Sequence, residues 1–360
     1  MNMNKKGWFV SWSCILSISL VFSSCSGMLF TSIDILRPAK VIFPPDLTTV
    51  VLINNSVIQD PGYGHTTHFF NENDKSVSIP TDSLSIYCLA ALAEGMAEKE
   101  FFSRVTLEPN SINKKQYYYV PTPPNRDTVE AIARRNKADG VISLNRILVN
   151  DKLGDFYNPD HYGYVAYLEA YYETQWSIHF PEKKRIYTFT SIDTVFWESV
   201  EYSRQKALDG LPDRTNALID GALIAGEKSV NRFIPWWDKV DRYLFDSRSD
   251  KIKPGLEAFY RKDWEEAEKE WAKSLAEGKN NSTNGKLAHN LAVVSEIRGD
   301  VEKAKEYSDA SLQYFLESVM IRYDQFVLVV QYNEELANRL TEVSKISLQL
   351  GENPSTTPIN

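Results

Sequence analysis

Cysteine is nearly missing from this chain, which has three in 360 residues: Cys14, Cys25 and Cys88. So few thiols build no disulfide framework, and stability in an oxidising compartment has to come from packing. Basic residues are outnumbered, with 40 Lys and Arg against 48 Asp and Glu and a formal charge of −8. Phosphate binding needs a clustered basic face, so this balance argues against a nucleic-acid partner.

The familiar catalytic signatures are missing too. There is no Walker-type phosphate loop, GxGxxG, HExxH, GxSxG or CxxC. Ser111 and Lys114 match S-x-x-K, but the K-T-G and S-D-N companions are absent. His65 and His68 in HTTH are close enough for two metal ligands. Asp60 and Asp74 stand at no diagnostic spacing for a third and fourth, so surface-loop histidines are expected and no metal. His179 shares a strand face with Glu169 and Glu173, but residues ten apart on a strand lie about 33 Å from each other. A solvated face is expected there instead of an acid–base centre. With no cofactor motif, these absences leave a scaffold or binding module rather than an enzyme.

What is present is the composition of an ordinary globular protein, 43% hydrophobic and 24% charged, in a chain long enough for two cores. Lys5 and Lys6 precede an apolar run, GWFVSWSCILSISLVF, and Ser23 and Ser24 stand directly before Cys25. A positive segment, an apolar segment and a small-residue cleavage site follow in the order of a secretion signal. The segment resembles the lipobox of bacterial lipoproteins, in which the cysteine becomes the acylated N-terminus. Phe22 departs from that pattern, where leucine or another aliphatic is usual. The resemblance implies a signal peptide over 1–24, lipidation of Cys25, a tether over 25–40, and a mature chain two lysines more acidic. An uncleaved membrane-spanning anchor is the alternative, since Gly7 to Phe30 is long enough. Ser26, Gly27 and Met28 supply no acidic export signal of the kind such bacteria place after the cysteine, which by resemblance implies the periplasmic side.

Residues 41–245 read as an α+β domain: a mixed sheet with helices on one side. Thr48 to Ile53 is β-rich, and Leu84, Cys88, Leu92 and Met96 recur at helical spacing. A short strand covers Arg104 to Leu107, and Asp127 with Glu130 has the capping-box pattern at the start of another helix. A central strand is expected over Val141 to Val149. From Val165 to Phe180, Ala166, Leu168, Ala170, Tyr172, Trp176, Ile178 and Phe180 alternate with polar residues, and Ile186 to Trp197 completes a hairpin. The stretch from Ala138 to Ile147, with the helix before it, resembles the small α/β domain of envelope lipoproteins such as the curli-secretion lipoprotein and an outer-membrane activator of peptidoglycan synthases.

Residues 246–350 change to helix formers. Lys262 to Ser274 aligns with Gly299 to Ser311, with Ala267 and Ala304 in equivalent places. They resemble the second helix of a tetratricopeptide repeat, although Pro254 and a lengthened EGKNNSTNGK loop depart from that pattern. Residues 351–360 are expected to be a disordered tail.

Cys25, Pro235 to Tyr243 and the two repeats together resemble an uncharacterised tetratricopeptide-containing lipoprotein family of gut Gram-negative bacteria of the Bacteroidetes type. The resemblance implies a lipid-anchored protein, at the outer membrane facing the periplasm, that docks a protein partner in envelope assembly. A glycan-binding accessory of an outer-membrane uptake system is the alternative. By the repeat pattern Tyr260, His289, Asn290 and Ser295 would line a concave groove, with Asn290 best placed to hold a bound peptide's backbone. Trp236 and Trp237 are candidates for a ligand platform or for an interdomain joint.

Overall fold

The computed structural model describes residues 27–113, 121–182, 185–247, 249–318 and 322–351. Cys25, the signal segment, Lys114 and nearly all of the expected tail lie outside them. The chain forms two compact units, Ala39–Pro235 and a second made of the residues up to Pro38 with those from Trp236 onward.

The first unit is α+β. Its strands are β2 (Thr49–Asn54), β3 (His65–His68), β4 (Lys75–Ser76), β5 (Arg104–Glu108), β6 (Gly140–Asn158), β7 (Gly163–Phe180) and β8 (Arg185–Glu201). Its helices are α1 (Leu84–Glu98), α2 (Arg126–Asn136), α3 (Arg204–Asp209) and α4 (Arg214–Phe233). The sheet is mixed: β2 runs parallel to β5 and β6, β3 parallel to β6, and β7 antiparallel to both β6 and β8. The even-numbered residues of β7, from Ala166 to Phe180, are buried as the alternation predicts.

The helices are not all on one side. Val50 and Leu52 of β2 pack with Cys88, Leu92 and Met96 of α1 and Phe233 of α4. Val51 and Ile53 pack with Val129, Ile132 and Ala133 of α2. Neighbouring strand residues point to opposite faces, so α2 lies on the face opposite α1 and α4. Chain handedness is the reason: β5 and β6 flank β2 on opposite sides. Two right-handed crossovers running in opposite directions along a sheet place their helices on opposite faces. The cap of α2 also differs from expectation, since Asn125, not Asp127, accepts the N–H of Thr128, at 2.9 Å.

The second unit starts with a strand where a tether was expected. β1 (Met28–Arg37) pairs antiparallel along its whole length with β9 (Trp236–Phe245). The compact units divide at Pro235, since Trp236–Phe245, the last ten residues of the span read as the sheet domain, pair with β1. Five helices follow: α5 (Lys253–Tyr260), α6 (Trp264–Ala276), α7 (Asn281–Ile297), α8 (Val301–Leu316) and α9 (Tyr323–Leu350). The aligned segments start α6 and α8 with equivalent caps, Asp263 and Asp300, and bury Ala267 and Ala304 completely. Gly255 lies so close to Trp271 that a Cβ there would fall 2.2 Å from the indole nitrogen. That nitrogen donates to the Ile252 carbonyl at 2.9 Å. α7 is buried on nearly every side, its polar His289, Asn290 and Glu296 included.

Candidate functional site

Polar side chains are brought together under cover in both units. In the helical unit, α7 faces β9. His289 and Asn290 are fully buried and Ser295 almost so. The Asn290 amide takes both backbone groups of Phe245: Phe245 N–H donates to Oδ1 at 2.8 Å, and Nδ2 donates to the Phe245 carbonyl at 3.0 Å. His289 donates from Nε2 to the Tyr243 carbonyl at 3.0 Å and stacks on the Tyr243 ring. Burial pushes the His289 imidazole down to about 4, with the charge of Arg242 acting the same way. The ring is therefore neutral at ordinary pH, with the proton on Nε2 and a bare Nδ1.

Next along the ribbon, Arg242 makes a two-pronged pair with Glu296 at 2.7 and 2.9 Å and reaches Glu335 at 2.8 Å. Tyr332 donates its hydroxyl to Glu296 at 2.9 Å. Further on, Arg37 pairs with Asp238 and Glu342 at 3.1 and 3.0 Å, and Arg339 donates to the Leu36 carbonyl at 2.7 Å. His289 and Asn290, two of the residues expected to line an open groove, thus grip the protein's own strand, while the buried Ser295 hydroxyl has no partner among the described residues. Tyr260 stands apart from them and is 62% exposed. Trp236 and Trp237 are opposite Arg37 and Leu36 in the ribbon. As neighbours on one strand they point to opposite faces and form no shared flat platform.

In the sheet unit the polar cluster is built on an irregularity of β6. One edge of this strand pairs with β2 as far as Leu144 and with β3 from Asp151 onward. The loop between those strands serves the gap: Gln59 accepts from the Val149 N–H and donates to its carbonyl, both at 2.8 Å. Here the register with β7 slips between Leu144 and Arg146, a bulge that turns Asn145 inward. Asn145 Oδ1 accepts from Ser143 Oγ at 2.9 Å, Asn55 Nδ2 at 3.2 Å and Ser177 Oγ at 3.3 Å. Its Nδ2 has no partner among the described residues.

Ser177 also contacts His179 Nε2 at 2.9 Å, and His179 lines a cleft of about 60 Å³ with Arg126, Val129 and Glu130. Sites for small molecules run to roughly 300–1,000 Å³, so this cleft admits water rather than a sugar or nucleotide. Burial pushes His179 down to about 4, which keeps it neutral. Ser177 is completely buried and out of reach of any external carbonyl. His179 itself is buried, not solvated, while Glu173 pairs with Arg146.

His65 is buried as well, contrary to the surface-loop expectation. Its Nδ1 pairs with Asp151, whose other oxygen receives Arg214 Nε at 2.7 Å. His68 pairs with Asp74 at the surface. Residues three apart on a strand face opposite ways, so the two histidines do not converge. Among the described residues no group of three or more His, Cys, Asp and Glu is placed to hold a metal.

These polar clusters carried a faint sequence signal at most. Asn54-Asn55-Ser56 directly after a strand, and Ser143 and Asn145 inside an apolar one, are the only marks of the bulge site.

Comparison with known families gives two matches. Residues 47–245 match a family described as a domain of unknown function (DUF8603), and residues 254–338 match another so described (DUF6340). No curated protein matches. Among solved structures, an uncharacterized protein aligns at 7% identity over 55% of this chain and 99% of its own, with a TM-score of 0.25. A putative neuraminyllactose-binding hemagglutinin homolog from Helicobacter pylori aligns at 10% identity over 54% of this chain and 90% of its own, also with a TM-score of 0.25.

Proposed function

The chain belongs to the DUF8603 family, and from that premise we propose that it is a lipid-anchored envelope protein that docks a protein partner along strand β8. The observation that carries the docking is the open side of this strand. Among the described strands β8 pairs only with β7. Ile186, Thr188, Thr190, Ile192, Thr194, Phe196, Glu198 and Val200 line its face away from the helices, and all eight are exposed. Phe189, Ser191, Asp193, Val195 and Trp197 turn to the covered face, where Arg232 pairs with Asp193 at 2.8 Å. An edge row of unpaired backbone groups with β-branched side chains is a template for an extended segment of another chain.

The helical unit supports the same division of labour. Its equivalent helices and buried Ala267 and Ala304 favour a tetratricopeptide-like pair of hairpins, and its inner face is filled by β9. A partner bound there would have to displace the ribbon, so the sheet unit is the better dock. No helix among the described residues is long and apolar enough to cross a membrane. Attachment is assigned to acyl chains on Cys25 from the lipobox order of residues, and the periplasmic side of the outer membrane follows from the family resemblance.

Photo-crosslinking in cells tests the dock. A crosslinking residue at Ile192 or Phe196 is expected to trap one discrete partner, and one at exposed Ile86 on α1 is not. Adding Ile192→Lys to the Phe196 probe is expected to abolish the product, since a lysine blunts an edge. Absence of a product at both strand positions, or an equal product at Ile86, overturns the proposal. A crosslink to a second copy of the same chain replaces it with self-association.

A further inference from the structure

We propose that one end of the helical unit, carrying Met28, Phe30, Leu316 and Tyr323, rests on the lipid surface. This placement rests on the lipid anchor proposed above. Only Ser26 and Gly27 separate Cys25 from β1. Gly27 is already part of the fold, because its carbonyl accepts the Asp246 N–H at 2.9 Å. Three residues span at most about 11 Å, and the headgroup layer on each side of a bilayer is roughly 5–7 Å deep. A chain acylated at Cys25 has no tether with which to hold this end away from the membrane.

The surface at this end suits such a contact. Met28 lies opposite Phe245 in the ribbon, and Phe245 packs against Phe315 with ring centres 5.5 Å apart. Met28, Leu312 and Phe326 pack around that core. From it Leu316 ends α8 at 68% exposure and Tyr323 starts α9 at 82%, while Phe30 on β1 is 63% exposed. Large apolar side chains with an aromatic hydroxyl among them are what the interfacial zone of a bilayer accepts.

The neighbouring charges are of both signs. Arg322 pairs with Asp324 at 2.6 Å, and Glu317 accepts from Asn281 at 3.3 Å. Lys251 and Lys279 line one shallow recess with Asp250. Contact by burial of apolar groups, and not by attraction to anionic lipid, follows from that balance, so salt has little effect on it.

The far end of the unit supplies an internal control. Leu348, 53% exposed, lies 25 residues beyond Tyr323 on the same helix, about 38 Å away at helical rise.

The test uses the full chain purified from membranes and placed in phosphatidylethanolamine–phosphatidylglycerol vesicles. Leu316→Cys, Tyr323→Cys and Leu348→Cys each carry a polarity-sensitive dye. Cys88 does not compete, because burial holds its thiol up at about 12. Brominated lipids are expected to quench the dye severalfold at 316 and 323 and not at 348, equally at low and high salt. Equal quenching at all three positions, or none at 316 and 323 in protein that still carries labelled palmitate, overturns the placement and leaves the anchor standing. Failure of Cys25 to incorporate palmitate overturns the anchor and this placement together.

Discussion

The side-chain amide of Asn290 and the backbone of Phe245 form a closed pair, with the N–H of Phe245 at 2.8 Å from Oδ1 and its carbonyl at 3.0 Å from Nδ2. Both residues are completely buried, so neither water nor another chain shares these bonds.

Asn290→Ala is expected to lower the stability of the helical unit by about 2–4 kcal/mol, because two buried backbone groups lose their partners. Denaturant unfolding measures the loss. Hydrogen exchange at the Phe245 amide should accelerate more than exchange inside α6, which separates release of the ribbon from general unfolding.

Arg242 is the next contact along β9, and its role differs. Arg242→Met removes the nearest counter-charge of Glu296, whose side chain is fully covered, and leaves it only the longer contact with Arg339 at 3.9 Å. The expected cost is about 3–5 kcal/mol. Replacing Glu296 by Met in the same chain should recover much of it, since a buried pair exchanged for apolar groups is often neutral. A double-mutant cycle from thermal melts decides this, and additive losses would contradict it.

Acid should weaken both units in one window. His179 and His289 are each held near 4 by burial, against an unfolded value near 6.5. The unfolded chain therefore binds more protons between those values, and stability falls as pH drops from about 6.5 to about 4. Above that window the contribution is constant. His289→Gln is expected to flatten the pH profile of the helical unit while leaving that of the sheet unit in place, as read by the two unfolding transitions.

Where α1 crosses α4, Gly226 allows a close approach. A Cβ at this position would fall 2.2 Å from the Cys88 carbonyl oxygen, a backbone atom that cannot turn aside. Gly226→Ala should cost about 1–3 kcal/mol by overpacking, despite the better helix propensity of alanine. Gly210→Ala makes a useful contrast, since its nearest neighbour is the side chain of Ser199. A melt in which Gly226→Ala is as stable as the parent would refute the close crossing.

Much of the element order was legible from periodicity. The alternation of β7, the spacing of Leu84, Cys88, Leu92 and Met96, and the two aligned helices all report one face of one segment, which sequence encodes locally. The side of the sheet that each helix takes was not local. It depends on strand order, which put β5 and β6 on opposite flanks of β2.

The candidate sites were harder to read for the same reason. By itself the sequence determined that Asn290 would lie in a helix-forming stretch and that Cys25 follows an apolar segment ending in small residues. Only tertiary structure decided that β1 and β9, far apart in the sequence, pair with each other and that Asn290 bonds to the second of them. The same pairing turned an expected tether into a strand. Asn145 was likewise called inward by a register slip between two strands, visible only once they are aligned. Periodicity specifies which face of an element is covered, whereas the identity of what covers it is a long-range contact that no local pattern contains.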